Sequence, residues 1–321
     1  RRHRGQLRAG RRDFRQRLMS VVTPPEKIAP ANGIEIAYDV RGDSSDPALL
    51  LVMGLGAQMV WWDDEFCDML ADRGFFVIRY DNRDNGHSTV LNHLGVPDQI
   101  SMLLGIPRHL AYHVADMADD GIGLLDHLGI EKAHVVGVSM GGMIVQTMAI
   151  NHPDRLLSMC SIMARTGAFK DAMPSPKALL ALFRVTPDDE DTYVEHTRRL
   201  AAVIGSPAYP ADPDRLEARA RLSFSRGLHK AGTARQLHAI NCQPDRRRGL
   251  GRLEMPCLVM HGNRDPLVFP RGGRATARAI PNCRLRIFEG MGHDVPQPLW
   301  PQFVAEISNN ANRANRATVT A

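Results

Sequence analysis

One short stretch constrains the fold of this chain more than any other. Residues 133–138 form a compact, β-branched apolar run, residues 140–151 a helix-like run, and Gly137-Val138-Ser139-Met140-Gly141 is all that joins them. A strand that passes into a helix so abruptly leaves no space for a Cβ against neighbouring backbone, and glycine tolerates that. Such a turn lifts the Ser139 hydroxyl clear of the sheet, at a helix N-terminus where the dipole favours developing negative charge. The spacing by itself is a weak signal; the strand before it and the helix after it make it specific. The competing reading is an idle serine in a tight turn.

The rest of the chain repeats this alternation. Apolar runs at 34–40, 49–53, 76–80, 257–261 and 284–288 read as strands, the first antiparallel and the others compact and buried. Helical patterns fall at 59–73, 113–128 (stopped by Gly129), about 272–280, and from Pro298 onward. The alternation breaks between 166 and 252, where the sequence is helix-like, carries prolines at 174, 176, 187, 207, 210 and 213, and offers no strand. An insert of that length is too long for a loop. The expectation is an α/β fold: a mostly parallel, doubly wound sheet with a helical cap inserted before the last two strands. The cap covers the carboxyl edge, where α/β proteins bind ligands. The expected divisions are 1–18 as a basic tail, 19–165 and 253–308 as the core, 166–252 as the cap, and 309–321 as a frayed polar tail.

A serine hydroxyl is a poor nucleophile without a base, and the base needs an acid to fix its tautomer. Two later segments supply them, each directly after a strand. His261-Gly262-Asn263-Arg264-Asp265 places Asp265 on a carboxyl-edge loop, and Gly290-Met291-Gly292-His293 places His293 on another. The catalytic candidates are therefore Ser139, Asp265 and His293. Asp294 is a lesser rival to Asp265, since adjacent side chains diverge; Asp119 and Asp126 read as solvated helix residues, and His261 as structural. Oxyanion donors are expected from the backbone N–H of Met140 and of Leu55, the latter in the glycine loop Met53-Gly54-Leu55-Gly56 after an early strand. A plain glycine turn is the alternative there. Met53, Gly54, Trp61, Trp62, Met143 and Met291 are candidates for an apolar substrate pocket, although core filling explains most methionines.

The stretches LLLVMGLGAQMVWW, VIRYDNRDNGHS, HVVGVSMGGMIVQTMA, HGNRDPLV and GMGHDVP, with the cap segments VIGSPAYP and AGTARQ, resemble the capped α/β-hydrolases of the carboxylesterase and lipase kind. They are similar especially to the actinobacterial LipG-like carboxylesterases and, more distantly, to the aclacinomycin methylesterases. The resemblance runs from about Ile28 to Phe303. It implies the α/β-hydrolase fold and cofactor-free hydrolysis of a carboxylic ester by Ser139, His293 and Asp265. Met53 departs from the histidine that many relatives carry at that place. Serine at the turn disfavours the haloalkane dehalogenases and epoxide hydrolases, which use aspartate. Thioesterases, phospholipases, carbon–carbon bond hydrolases and perhydrolases share the serine and stay open, as does a non-catalytic binding protein on the same scaffold.

Composition narrows the remaining classes. With 44% hydrophobic and 23% charged residues the chain is an ordinary globular protein rather than a disordered or fibrous one. Its net charge of +5 belongs to a short segment, because residues 1–18 hold eight arginines against one acid and leave 32 basic and 34 acidic residues beyond. That tail lacks an apolar core of the secretory kind, and upstream or non-native sequence before Met19 is expected. No nucleic-acid partner is expected; the partner is a small ester, with peripheral lipid contact open and a cytoplasmic location expected. Five scattered cysteines without a CxxC spacing argue against a disulfide framework or a zinc ribbon. His109 and His113 with Asp116 read as a helix start rather than a metal site. Arg83 reads as structural and Arg246-Arg247-Arg248 as a solvated linker.

Overall fold

The computed structural model describes residues 25–168, 174–182 and 186–319; the arginine-rich segment 1–18 lies outside them. The chain opens with a hairpin of β1 (Lys27–Ala31) and β2 (Ile34–Arg41). Asn32 and Gly33 turn it with φ of 49° and 78°, the left-handed pair that matches strand twist in a two-residue turn. There follow β3 (Ala48–Val52), α1 (Asp64–Ala71), β4 (Phe76–Tyr80), α2 (Gln99–Leu104), α3 (Val114–His127), β5 (Ala133–Val138), α4 (Met140–Asn151) and β6 (Leu156–Ile162). Helices α5 (Pro176–Leu182), α6 (Glu190–Ile204), α7 (Pro213–Ser225), α8 (Lys230–Asn241) and α9 (Arg247–Leu250) come next, before β7 (Cys257–Gly262), α10 (Pro270–Ala279), β8 (Cys283–Phe288) and α11 (Trp300–Val319).

The eight strands form one sheet in the order β1-β2-β4-β3-β5-β6-β7-β8. The β1–β2 and β2–β4 pairs are antiparallel, and every pair from β4–β3 to β7–β8 is parallel. Successive residues of a strand point to opposite faces, and β3 shows the consequence. Leu50 and Val52 join the apolar cluster under α3 and α4, whereas Leu49 and Leu51 join the one under α1 and α11. Both faces are covered, so β3, Ala48–Val52, is apolar throughout.

Two strands were not visible as such in the sequence. β1 contains Pro30, which an edge strand tolerates because it need not donate on both sides. β6 is broken by Ser158 and Ser161, whose hydroxyls are spoken for: Ser158 Oγ lies 2.8 Å from His134 Nδ1, and Ser161 Oγ accepts from Gln146 Nε2 at 2.9 Å. The polar tail expected from residue 309 is also corrected, since α11 continues through it to Val319. Asn310 is buried and donates to the Met159 carbonyl at 3.1 Å, and Ala311 packs beside it in the core. Arg246 is no solvated linker residue either. It is buried, donates to Gln146, Gln243 and the Arg165 carbonyl, and burial together with the nearby Arg165 lowers its pKa to about 9.

Arginines on and beside α8 tie the helical insert to the loop after β4. Arg235 of α8 donates to both carboxylate oxygens of Asp84, at 2.7 and 2.6 Å, and both side chains are 1% exposed or less. Arg226, just after α7, pairs with Asp81 and Glu26. Removing one partner of such a pair strands a buried charge, at about 3–5 kcal/mol. Among the described residues no helix is long and apolar enough to cross a membrane.

His134 on β5 carries a stability prediction. Burial lowers its pKa to about 4, from roughly 6.5 in an unfolded chain. The unfolded chain therefore takes up the proton first, and stability falls as pH drops from about 6.5 to about 4, by some ~3 kcal/mol. His134→Gln is expected to flatten this share of the acid limb in urea unfolding series. An unchanged pH dependence in the variant would remove His134 from the account.

Candidate active site

Ser139 stands between β5 and α4 with φ of 56° and ψ of −115°. A non-glycine residue at positive φ is strained, and the neighbourhood enforces it. The Ser139 N–H donates to the Ile162 carbonyl at 2.9 Å, and a Cβ on Gly137 or Gly141 would overlap the backbone of Gly141 or Val52. The two glycines of the motif thus permit a contact between α4, β5 and the end of β3 that no other residue allows.

His293, on the loop after β8, has Nε2 3.0 Å from Ser139 Oγ and Nδ1 2.7 Å from Asp265 Oδ2. Asp265, on the loop after β7, is 2% exposed. Its Oδ1 accepts from the N–H groups of Leu267 and Val268 at 2.9 and 2.8 Å. Burial alone would raise its pKa, but the charge of His293 and the hydrogen bonds from His261 and His293 hold the carboxyl well below its usual range. The ionised carboxylate keeps the proton of His293 on Nδ1, which leaves the Nε2 lone pair facing the serine hydroxyl. His261 is structural in this sense: it is fully buried, Nε2 donates to the Val268 carbonyl at 2.7 Å and lies 3.3 Å from Asp265 Oδ2.

Asp294 turns away from the His293 ring and accepts from Ser206 Oγ, which in turn accepts from the Gly292 N–H at 2.9 Å. The His293 N–H donates to the Ile204 carbonyl at 2.7 Å, and the Ala208 N–H to Gly290 at 3.2 Å. The histidine loop is therefore laced to the segment just after α6. The sequence reading noted that segment, VIGSPAYP, but gave it no task.

Across the serine, Gly54 approaches so closely that a Cβ there would lie 3.3 Å from Ser139 Cβ. The Met53 carbonyl accepts from Asn82 Nδ2 at 3.0 Å, and the Gly56 N–H donates to Gln236 Oε1 at 2.9 Å. Between them the Leu55 N–H has no acceptor among the described residues. Met140 opens α4, and a first-turn N–H has no acceptor within its helix.

A cavity of about 1700 Å³ lies over these residues, walled from below by Met53, Gly54, Trp61, Trp62 and Met143 and from above by helices α5–α8. Met291 is a correction: it is fully buried in the core cluster under α1 and α11 and does not line the cavity. Asp119 and Asp126 form partly exposed pairs with His152 and Arg155. Their neighbour Asp120, unremarked in the sequence, is the buried partner of Arg83 at 2.6 Å. His113 caps α3, its N–H donating to Asp116 at 2.7 Å. Among the described residues no group of three His, Cys, Asp or Glu side chains is placed to hold a metal ion.

Comparison with known proteins extends this geometry. A rhodomycin D methylesterase from a Streptomyces species is 28% identical over 90% of this chain and 99% of its own. A 2-hydroxy-6-oxononadienedioate/2-hydroxy-6-oxononatrienedioate hydrolase from Burkholderia vietnamiensis is 27% identical over 88% of this chain and 89% of its own. Among solved structures, the enol-lactonase of Burkholderia xenovorans superposes with a TM-score of 0.69 at 23% identity, covering 89% of this chain and all of that one. The model of the alpha/beta hydrolase fold family matches residues 47–296, from the start of the first parallel strand to just beyond His293, and the chain belongs to that family.

Proposed function

We propose that this protein is a serine hydrolase that cleaves carboxylic esters through an acyl-enzyme on Ser139. The observation that carries the reading is the continuous hydrogen-bonded chain from Ser139 through His293 to the ionised Asp265, opening into an apolar cavity. In this reading His293 Nε2 takes the serine proton as Oγ attacks the ester carbonyl. Asp265 stabilises the imidazolium that results. The Leu55 and Met140 N–H groups receive the oxyanion, and His293 returns the proton to the leaving alcohol. Water then enters by the same route, with His293 as base, and releases the acid. No metal or organic cofactor takes part.

The cavity supports a bulky substrate. Its volume, about 1700 Å³, exceeds the roughly 300–1,000 Å³ usual for small-molecule sites. The methylesterase relatives, matched over nearly their full length, support a small leaving alcohol, and the large apolar cavity supports an apolar or aromatic acid on the other side of the ester. The B. vietnamiensis relative supports a second reading, cleavage of a carbon–carbon bond beside a carbonyl by the same three residues. Hydrolysis of p-nitrophenyl esters from acetate to palmitate, together with methyl esters of polycyclic aromatic acids, separates them. Ester turnover by the wild type and none by Ser139→Ala is the expected result. Inert esters with active vinylogous diketone substrates would favour the second reading.

A further inference from the structure

The cap motif AGTARQ has no part in the catalytic chain, yet its last residue reaches the catalytic loops. Gln236 on α8 is fully buried. Its Oε1 accepts the Gly56 N–H at 2.9 Å, and its Nε2 donates to the Arg83 carbonyl at 2.8 Å. Both ends of the amide are therefore committed, and its anchors are rigid. Arg83 is held by Asp120 through paired hydrogen bonds of 2.6 Å, and the neighbouring Arg235 is locked to Asp84. Thr233, one turn earlier on α8, sits against Gly56, its side chain 3.1 Å from where a Cβ would be.

This clasp acts on the loop that faces the serine. Ala57 donates to the Gly54 carbonyl at 3.3 Å and Gly56 to Gln236. The next N–H, that of Leu55, is left over, in a loop whose Gly54 touches Ser139. The Leu55 N–H shares one rigid peptide plane with the Gly54 carbonyl that accepts from Ala57, and the Gln236–Gly56 bond pins the plane that follows, so the two bonds bracket Leu55 and together set the direction of its N–H. We propose that Gln236 is a positioning residue: from the cap, it sets the direction of the oxyanion donor at Leu55. The claim rests on the ester-hydrolase reading above for its steady-state readout. It makes the cap part of the catalytic apparatus and not only its roof.

The test compares Gln236→Met, which keeps the shape and loses both hydrogen bonds, with Gln236→Glu. As a neutral acid the latter can still accept from Gly56 and donate to Arg83. For Gln236→Met we expect kcat to fall about 10- to 100-fold, less than the roughly 10²- to 10³-fold cost of deleting an oxyanion donor outright, because Leu55 keeps its N–H. KM should stay within about twofold and the pH profile should not move, because His293 and Asp265 are untouched. Gln236→Glu should recover most of the loss. Labelling of Ser139 by a fluorophosphonate, whose phosphoryl oxygen uses the same donors, should slow in parallel. Full activity in Gln236→Met, a loss confined to KM, a shifted pH profile, or equal losses in the two variants would overturn the proposal. If the wild type turns over no ester but is labelled, the labelling ratio alone decides, and the ester reading fails separately. An unlabelled wild type overturns both.

Discussion

Ser139→Ala is expected to lower kcat for an activated ester by about 10⁵- to 10⁶-fold, the scale found when a triad nucleophile is removed. The loss follows from geometry: His293 Nε2 would face a methyl group in place of the hydroxyl now 3.0 Å away. Water held by His293 cannot reproduce a nucleophile already seated against its base and both donors. KM should change little, because the cavity walls are untouched. The fold should also survive. The strained φ of 56° at this position is imposed by Gly137, Gly141 and the bond to Ile162, and alanine meets the same restriction as serine. A shift in thermal midpoint of no more than about 2–4 °C is expected. Residual turnover above about one part in a hundred would place the nucleophile elsewhere.

Asp265→Asn is expected to cost about 10⁴-fold in kcat with KM nearly unchanged, as for a triad whose histidine is held in the wrong tautomer. The local bonds dictate which way the amide sits. Oδ1 is fixed by two backbone donors, Leu267 and Val268, so asparagine must keep its oxygen there and present its NH₂ where Oδ2 now meets His293 and His261. His293 would then accept at Nδ1 and carry its proton on Nε2, aimed at the serine as a donor instead of a base. Measured kcat within about tenfold of wild type would contradict the assignment of Asp265.

What the sequence made legible was local or strand-anchored. The strand–turn–helix at Ser139 is specified by the residues within it. Asp265 and His293 stood out because each follows an apolar strand closely enough to be placed at the carboxyl edge. What escaped was decided by partners distant in the chain. Ser158 and Ser161 disguised β6 because the groups that satisfy them, His134 and Gln146, lie on other elements. Arg246 resembles its two arginine neighbours in sequence because its partner Gln146 lies a hundred residues earlier in the chain. Gln236 and Ser206 lay in cap segments whose resemblance was visible but whose contacts with Gly56 and Gly292 required the fold. Pro30 disguised β1, and Met291 had no signal separating core from cavity.

The central claim is a covalent one, and the most direct measurement looks for the covalent species. Wild-type protein mixed with a p-nitrophenyl ester, quenched in acid within the first turnover and digested, is expected to yield the peptide containing Ser139 heavier by one acyl group. A burst of about one equivalent of p-nitrophenolate should accompany it wherever deacylation is the slower step. The adduct should be missing from Ser139→Ala. Steady ester turnover with an unmodified Ser139 peptide, or an acyl group found on another side chain, would contradict the account.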